Sequence, residues 1–524
     1  MSSCSSGKSL VAEYEIIPLP EIIGLTHEEP FLLSKKSVIV APEELKREAE
    51  FLKEYVALQN EIDLKIGSSE DGRIELSIND KIALEGWKME VTAESLKIEG
   101  GSAAGVFYGI QALRKMLPAE PCSEVTMQSG VISDTPRFGY RGMHFDVARH
   151  YFDKEFVKRY IDNLALHGIN NFHWHLSDDQ GWRIEIKRYP LLTELSAERK
   201  RTTIGRNSGE FDETPYGKGC FFTQDDAREI VAYAAERHIN IIPEIDMPGH
   251  MVAALHAYPE LGCSGGPYEV WPLWGVSEEV LCAGNDLTVQ FAKDVLAEIV
   301  DIFPSKYIHI GGDECPKVEW EKCPKCQARI KALGLDRNSK FKPEEVLQGW
   351  FMHEMSDFLK SRGRTAIGWD ELLLSDFTGD EIVVMSWQGE AGGIEAAKRG
   401  VRSIMVPQTY LYLDHYQTES REGEPLALGG CNTLTKVYHY DPTGKIPEEQ
   451  REYILGVQAN LWTEYIIEED HVFHMLFPRM AALNEIQWCS PENKDYDYFK
   501  QRLMRTLKLY ERLGYNYSTY FMNE

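Results

Sequence analysis

Tyr307-Ile308-His309-Ile310-Gly311-Gly312-Asp313-Glu314 is the stretch on which the reading of this chain turns. Apolar residues lead into two glycines and then two carboxylates. The run reads as a short buried strand over 307–311 that ends in a sharp turn. Glycines at such a point let the backbone bend or approach a neighbour where a side chain would clash. Two adjacent acids at the end of a buried strand are costly unless they are paired or used.

The segments on either side repeat this design. From Pro136 onward the chain alternates between an apolar strand, a polar loop and an amphipathic helix. Strands are expected at 140–147, 171–176, 240–246, 307–311, 365–369, 382–387, 403–406 and 454–460. Helices fit between them, at 154–167, 223–238, 288–303, 343–361 and, more briefly, 393–399. Eight parallel strands alternating with helices imply an α/β fold, a (β/α)₈ TIM barrel. Residues 496–513 read as a further helix on its outside. Before the barrel the pattern differs. Short β-rich runs at 15–19, 38–40, 64–66, 74–78 and 88–92, with helices at 43–59 and 103–116, suggest a small α+β domain with an antiparallel sheet. The expected division is 1–135 for this domain, 136–495 for the barrel and 496–524 for the terminal helix.

Barrel enzymes carry their sites at the C-terminal ends of the strands. Polar and aromatic residues should gather there, and they do. Asp146 and Arg149 follow the first strand and Asp178-Asp179 the second. Asp246 and His250 follow the third, Asp313-Glu314 the fourth, Trp369-Asp370-Glu371 the fifth and Trp387 the sixth. Tyr412 and Asp414 lie after the seventh, Trp462 and Glu464 after the eighth. Acids, an arginine and several tryptophans around one rim suit a sugar. Aromatic faces pack on the apolar side of a pyranose, and charged groups hydrogen-bond its hydroxyls.

Neighbouring residues of an extended segment point opposite ways. Asp313 and Glu314 therefore cannot easily straddle one glycosidic bond as acid and nucleophile. A sugar carrying a 2-acetamido group removes the difficulty, because its carbonyl oxygen can attack the anomeric carbon. One carboxylate then holds the acetamido N–H while the other protonates the leaving oxygen.

Four segments carry a family resemblance: Arg149-His150-Tyr151-Phe152, His173-Trp174-His175-Leu176-Ser177-Asp178-Asp179, Glu244-Ile245-Asp246-Met247-Pro248-Gly249-His250 and His309-Ile310-Gly311-Gly312-Asp313-Glu314. They resemble the signature segments of glycoside hydrolase family 20, the β-N-acetylhexosaminidases, from about Arg137 to Trp488, and the domain before them is similar to that family's non-catalytic domain. The resemblance implies an exo-acting, retaining enzyme without a cofactor or metal that removes terminal β-linked GlcNAc or GalNAc. It implies Glu314 as general acid and then base, Asp313 holding the acetamido group and Tyr412 bonding its carbonyl oxygen. It places Trp369, Trp387 and Trp462 around the acetamido pocket, and Arg149, Asp414 and Glu464 on the ring hydroxyls. Asp178 and His250 would form a pair that tunes Glu314. Two alternatives stay open: release of a disaccharide by the same chemistry, and a carbohydrate-binding protein without activity.

Charge and composition narrow the partners. A formal net charge of −27 argues against nucleic acid or an anionic membrane as the main partner; β-N-acetylhexosaminide glycans are the partners the resemblance implies. The sequence does not choose an oligomeric state. Ten cysteines are scattered rather than arranged as a dense disulfide framework. Cys315 with Cys323-Pro324-Lys325-Cys326 is the one local cluster. A zinc knuckle needs a fourth ligand and none is near in sequence, so free thiols or a local disulfide is the expectation. His173 and His175 alternate as a metal pair would, but packing beneath the site is the expected role. Met1 to Gly7 reads either as a polar terminus or as the region after the apolar core of a bacterial lipoprotein signal, with Cys4 lipidated. The latter would place the protein in the periplasm, on the outer membrane or outside the cell.

Overall fold

The computed structural model describes residues 8–68, 72–337, 340–375, 377–379 and 381–523. The lipid-anchor expectation at Cys4 lies outside the described residues.

Eight parallel strands close into a barrel in chain order: β1 (Tyr140–Asp146), β2 (Asn171–His175), β3 (Asn240–Glu244), β4 (Tyr307–His309), β5 (Thr365–Trp369), β6 (Ile382–Ser386), β7 (Arg402–Met405) and β8 (Ile454–Ala459), with β8 pairing back onto β1. The expected strands all form, each ending one or two residues short of its expected C-terminus except β5, because the chain there turns to carry the site. The helices follow from local signals. Asp153 caps Lys154–Leu166 by accepting from the Phe156 amide, and Thr223 with Asp226 makes a reciprocal capping box on Gln224–Ala235. Asn285 caps Asp286–Ile302, and Pro343 opens Pro343–Ser361 where its missing N–H costs nothing. The link between β6 and β7 is the helix Ala391–Lys398.

The preceding domain is a seven-stranded sheet in the order Ile22–Leu25, Gly130–Asp134, Trp87–Val91, Ser95–Gly100, Arg73–Ile78, Val38–Val40, Lys65–Ile66. The pairings among the first four strands are antiparallel, while the remaining joints run parallel. A three-stranded sheet lies beside it. Helix Ala103–Met116 packs on the large sheet, where Gly109 lies close against Ile98 and Trp87. The strand expected at 15–19 does not form. Its carbonyls go to side chains instead: Lys115 Nζ donates to Ile17 O and Arg502 Nη1 to Ile16 O. The segment is thus held between the small domain and the terminal helix Tyr496–Arg512, not in a ladder.

Arg141 joins the small domain to the barrel floor. Its guanidinium is fully buried and donates to both oxygens of Glu85, at 3.0 and 3.1 Å. It lies between the rings of Tyr108 and Trp488, with centroids at 5.2 and 5.0 Å. Removing one partner of a buried pair leaves the other charge uncompensated. Glu85 keeps some solvent contact, so Glu85→Ala should destabilise the protein by about 2–3 kcal/mol, below the full penalty for breaking a buried pair. Guanidinium denaturation reads this as a lowered midpoint, and an unchanged midpoint would refute the bracing role.

Candidate active site

The end of β4 sets the geometry. The strand stops at His309 because Gly311 and Gly312 take φ values of 69° and 100°. A Cβ on Gly311 would lie 1.7 Å from Asp246 Oδ1, so only glycine lets the ends of β3 and β4 come this close. Glu314 itself has φ 43°, a left-handed conformation that costs a non-glycine residue roughly 1 kcal/mol or more. The strained turn sends the two acids into different surroundings. The Asp313 side chain is 12% exposed and that of Glu314 is 42% exposed.

Beneath them an Asp246 carboxyl oxygen, an Asp313 carboxyl oxygen and a His250 ring nitrogen all lie within 4.8 Å of one another. Burial, and then the neighbouring Asp246, push Asp313 well above the usual carboxylate range; burial does the same to Asp246 against the pull of His250. Two buried acids this close disfavour each other's charge. His250 Nε2 lies 3.7 Å from both Asp313 Oδ2 and Glu314 Oε2. Its Nδ1 faces Asp178 Oδ1 at 3.1 Å. Burial alone would discharge His250, but Asp178 raises it well above its ordinary value.

Asp178 also receives Arg149 Nη2 at 2.8 Å and His175 Nε2 at 2.8 Å. Burial works against its charge, yet Arg149 and then His250 hold it far below its ordinary value. Arg149 is oriented further by Asp146 at 3.3 Å and by Gln180 Oε1, which accepts from Nε at 2.9 Å. His175 then leads inward to Glu244, its Nδ1 2.5 Å from Oε2. Glu244 has no solvent contact; Trp369 Nε1 donates to its other oxygen at 3.0 Å, and His309 Nδ1 lies 2.8 Å from that same oxygen. His173 Nε2 faces it at 3.0 Å. The register explains the convergence: His175, Glu244 and His309 are aligned partners on three adjacent strands.

An aromatic cup forms the other wall. Trp369, Trp462 and Tyr412 belong to one buried cluster, with Trp387 packed against it. Trp387 and Tyr412 lie nearly parallel with centroids 6.3 Å apart, and Trp462 carries the Arg149 guanidinium over its face at 5.0 Å. Glu371 Oε2 accepts from Trp387 Nε1 at 3.0 Å, while its Oε1 takes the Glu314 amide at 3.4 Å. Asp414 and Glu464 are buried neighbours on the far rim; burial and mutual repulsion raise Asp414 well above the usual range. Burial also raises Glu464, against the pull of Arg149.

All eleven residues expected at the site therefore join one connected surface. The sequence reading did not assign a role to Glu244, Gln180 or Glu371. Glu244 had a signal, an acid inside the apolar run of β3 level with the histidines of β2 and β4. Glu371 stands on the rim after the fifth strand, and its two bonds depend on how β5, β6 and the β4 loop meet. Among the described residues, four groups of side chains are close enough to share a metal ion: His144, His173 and Glu244; Asp178, Asp179 and His250; Asp246, His250 and Asp313; and four cysteines. In the first three, His173, Glu244, Asp178, His250, Asp246 and Asp313 already take part in the contacts above.

A family model described as the catalytic domain of Glycosyl hydrolase family 20 matches residues 138–491, and one for domain 2 of that family matches residues 13–135. The chain is 39% identical to a beta-hexosaminidase of Porphyromonas gingivalis, over 97% of this chain and 65% of that relative. It is 35% identical to a beta-hexosaminidase of Vibrio furnissii, over 80% of this chain and 67% of the other. The chain thus spans about two thirds of the length of these relatives. Among solved structures it is similar to the GH20 beta-N-acetylhexosaminidase of Streptomyces coelicolor A3(2), with a TM-score of 0.83 at 30% identity and 97% of both chains covered. It is also similar to the GH20 exo beta-N-acetylglucosaminidase of Vibrio harveyi in complex with N-acetylglucosamine, with a TM-score of 0.84 at 31% identity and coverage of 98% and 80%.

His175 provides a pH test of the buried network. Burial would lower it, but Glu244 and Asp178 on either side raise it from 6.5 to about 10. A raised group contributes stability that is complete below its unfolded pKa of 6.5 and is lost as pH climbs through about 10. The stability difference between the wild type and His175→Asn should therefore be largest near pH 6 and shrink toward pH 10. Urea denaturation at stepped pH measures it, and a difference that stayed flat or grew would contradict the charged assignment.

Proposed function

The chain belongs to glycosyl hydrolase family 20, and on that premise we propose that it is an exo-acting, retaining β-N-acetylhexosaminidase working by substrate-assisted catalysis. The observation that carries this reading is the placement of the acid pair. Asp313 is buried and Glu314 is open, yet both oxygens approach the same nitrogen of His250. Two carboxyls sharing one imidazole nitrogen lie on one side of a glycosidic bond rather than astride it, which leaves the attack to the substrate. Relatives named as beta-hexosaminidases, and one solved with N-acetylglucosamine, support a terminal N-acetylhexosamine as the sugar.

In this mechanism the substrate's acetamido oxygen attacks the anomeric carbon as the bond to the leaving oxygen breaks. Glu314 gives its proton to that oxygen. With Asp246 protonated beside it, Asp313 accepts from the acetamido N–H and steadies the positive charge that develops on it. Tyr412 donates its hydroxyl to the acetamido oxygen, and Trp369, Trp387 and Trp462 enclose the methyl. Water then opens the oxazolinium ring from the face the leaving group vacated, giving its proton to Glu314 and returning the sugar with its configuration retained. Arg149, Asp414 and Glu464 hold the ring hydroxyls and orient the scissile bond. The charged His250 stands near both acids and is itself held by Asp178.

Glu314→Gln should lower kcat on a β-GlcNAc disaccharide by about 10²–10⁴-fold, with a much smaller loss on an aryl β-GlcNAc whose phenolate leaves unaided. Asp313→Asn should cost roughly 10²–10³-fold on both, since it acts on the ring closure and not on the leaving group. Near-full activity of either variant would sink the mechanism. Parallel aryl β-GlcNAc and β-GalNAc rates fix the preferred sugar, and release of a disaccharide from a tetrasaccharide would replace exo-monosaccharide action.

A further inference from the structure

Four cysteines far apart in sequence meet behind the acid loops. Cys263 and Cys282 lie in the long segment after β3, downstream of His250. Cys323 and Cys326 lie after β4, downstream of Glu314. Their four sulfurs all lie within 4.8 Å of one another. Three of the separations are 3.6 Å (Cys282–Cys323), 3.6 Å (Cys282–Cys326) and 3.9 Å (Cys263–Cys326). A tetrahedron of metal–sulfur bonds near 2.3 Å has edges of about 3.8 Å. A disulfide would need about 2.0 Å.

The surrounding backbone is built for such a centre. Residues 261–263 and 281–282 clasp each other through the Gly262–Leu281 bridge and the Cys282 amide on Leu261 O at 2.8 Å. Cys323 precedes helix Pro324–Leu333 and Cys326 falls in its first turn, so Cys-Pro-Lys-Cys presents both sulfurs on one side. Gly284 lies against this turn. A Cβ there would be 2.2 Å from the Cys326 amide nitrogen, so only glycine permits the approach. Cys282, Cys323 and Cys326 are buried and Cys263 is partly so. Cys315, which the sequence grouped with the Cys323–Cys326 pair, is not a member; its sulfur faces Pro316 O.

We propose that Cys263, Cys282, Cys323 and Cys326 bind one structural zinc ion that ties the segment after β3 to the segment after β4. The four protein ligands fill a tetrahedron and leave no open position, so the ion takes no part in the chemistry proposed above and the inference stands independently of it. Each thiol releases its proton to solvent as the metal binds. The staple restrains the two loops that carry His250 and the Asp313–Glu314 turn. It also keeps four adjacent thiols from oxidising in pairs if the protein works in an oxidising compartment.

The test uses the full chain purified without chelator. Elemental analysis should give about one zinc per chain, and zinc-edge absorption should fit four sulfurs near 2.3 Å. An organomercurial should release that zinc together with four reactive thiols, lowering the melting temperature. Cys282→Ser should lose the metal, whereas Cys220→Ser, outside the cluster, should keep it. Cys282→Ser is not the only recourse if it fails to fold, since the wild-type measurements stand alone. A metal-free wild-type protein would overturn the proposal, and so would an intact mass showing two disulfides among these cysteines. Iron in place of zinc would overturn the identity of the ion.

Discussion

Glu244 is a carboxylate with no access to water, and much of the barrel interior is arranged to keep it charged. Burial would drive it neutral, yet His309, His175 and His173 hold it well below its ordinary value. An isolated buried carboxylate is prohibitively costly, so the charge has to be matched by groups that are equally buried. The matching does not end at its immediate partners. His175, charged by Glu244, is charged also by Asp178, and Asp178 in turn holds Arg149 and His250. Charges of alternating sign thus run from the middle of the barrel to the rim, each one stabilised by the next. His250 ends the series within reach of both Asp313 and Glu314.

The consequence is preorganisation. Side chains that would serve the reaction are already held by bonds to groups that have no reason to move. Arg149 is fixed by three oxygens before any sugar arrives, and Trp387 is fixed by the carboxylate that also takes the Glu314 amide. Donors and acceptors placed in advance do not have to reorient as charge develops, which is where such sites obtain most of their effect. Glu314 is the exception. It is open to solvent on a left-handed turn, as would suit the proposed group that first gives up a proton and then takes one back.

The small domain acts on this site only through the frame. Arg141 points away from the rim to Glu85 at the opposite end of β1, wedged between Tyr108 and Trp488. The terminal helix meets the barrel through the buried Arg502–Glu485 pair and holds the segment around Ile16 at the same time. Both contacts lie on the floor side, where barrel proteins place stability rather than chemistry. The four-cysteine cluster provides the corresponding tie near the top, between the segments that follow β3 and β4.

The strand and helix order of the barrel was legible because apolar runs of period two and amphipathic runs of period 3.6 are local properties. The acid pair was legible because Gly311-Gly312-Asp313-Glu314 carries its turn chemistry in four consecutive residues. What stayed hidden depended on distance. Residues 15–19 have strand composition, but their carbonyls are claimed by Lys115 and Arg502, which no local pattern announces. Cys263 and Cys282 gave no sign of belonging with Cys323 and Cys326, because a ligand set is defined by converging sulfurs and not by spacing along the chain. Sequence by itself determined the barrel, the rim residues and the two adjacent carboxylates. The tertiary structure alone decided which carboxylate is buried and which open, that Glu244 anchors the histidines, and that four thiols meet. These are properties of register and loop approach, set when strands close into a ring and distant segments come within a few ångströms.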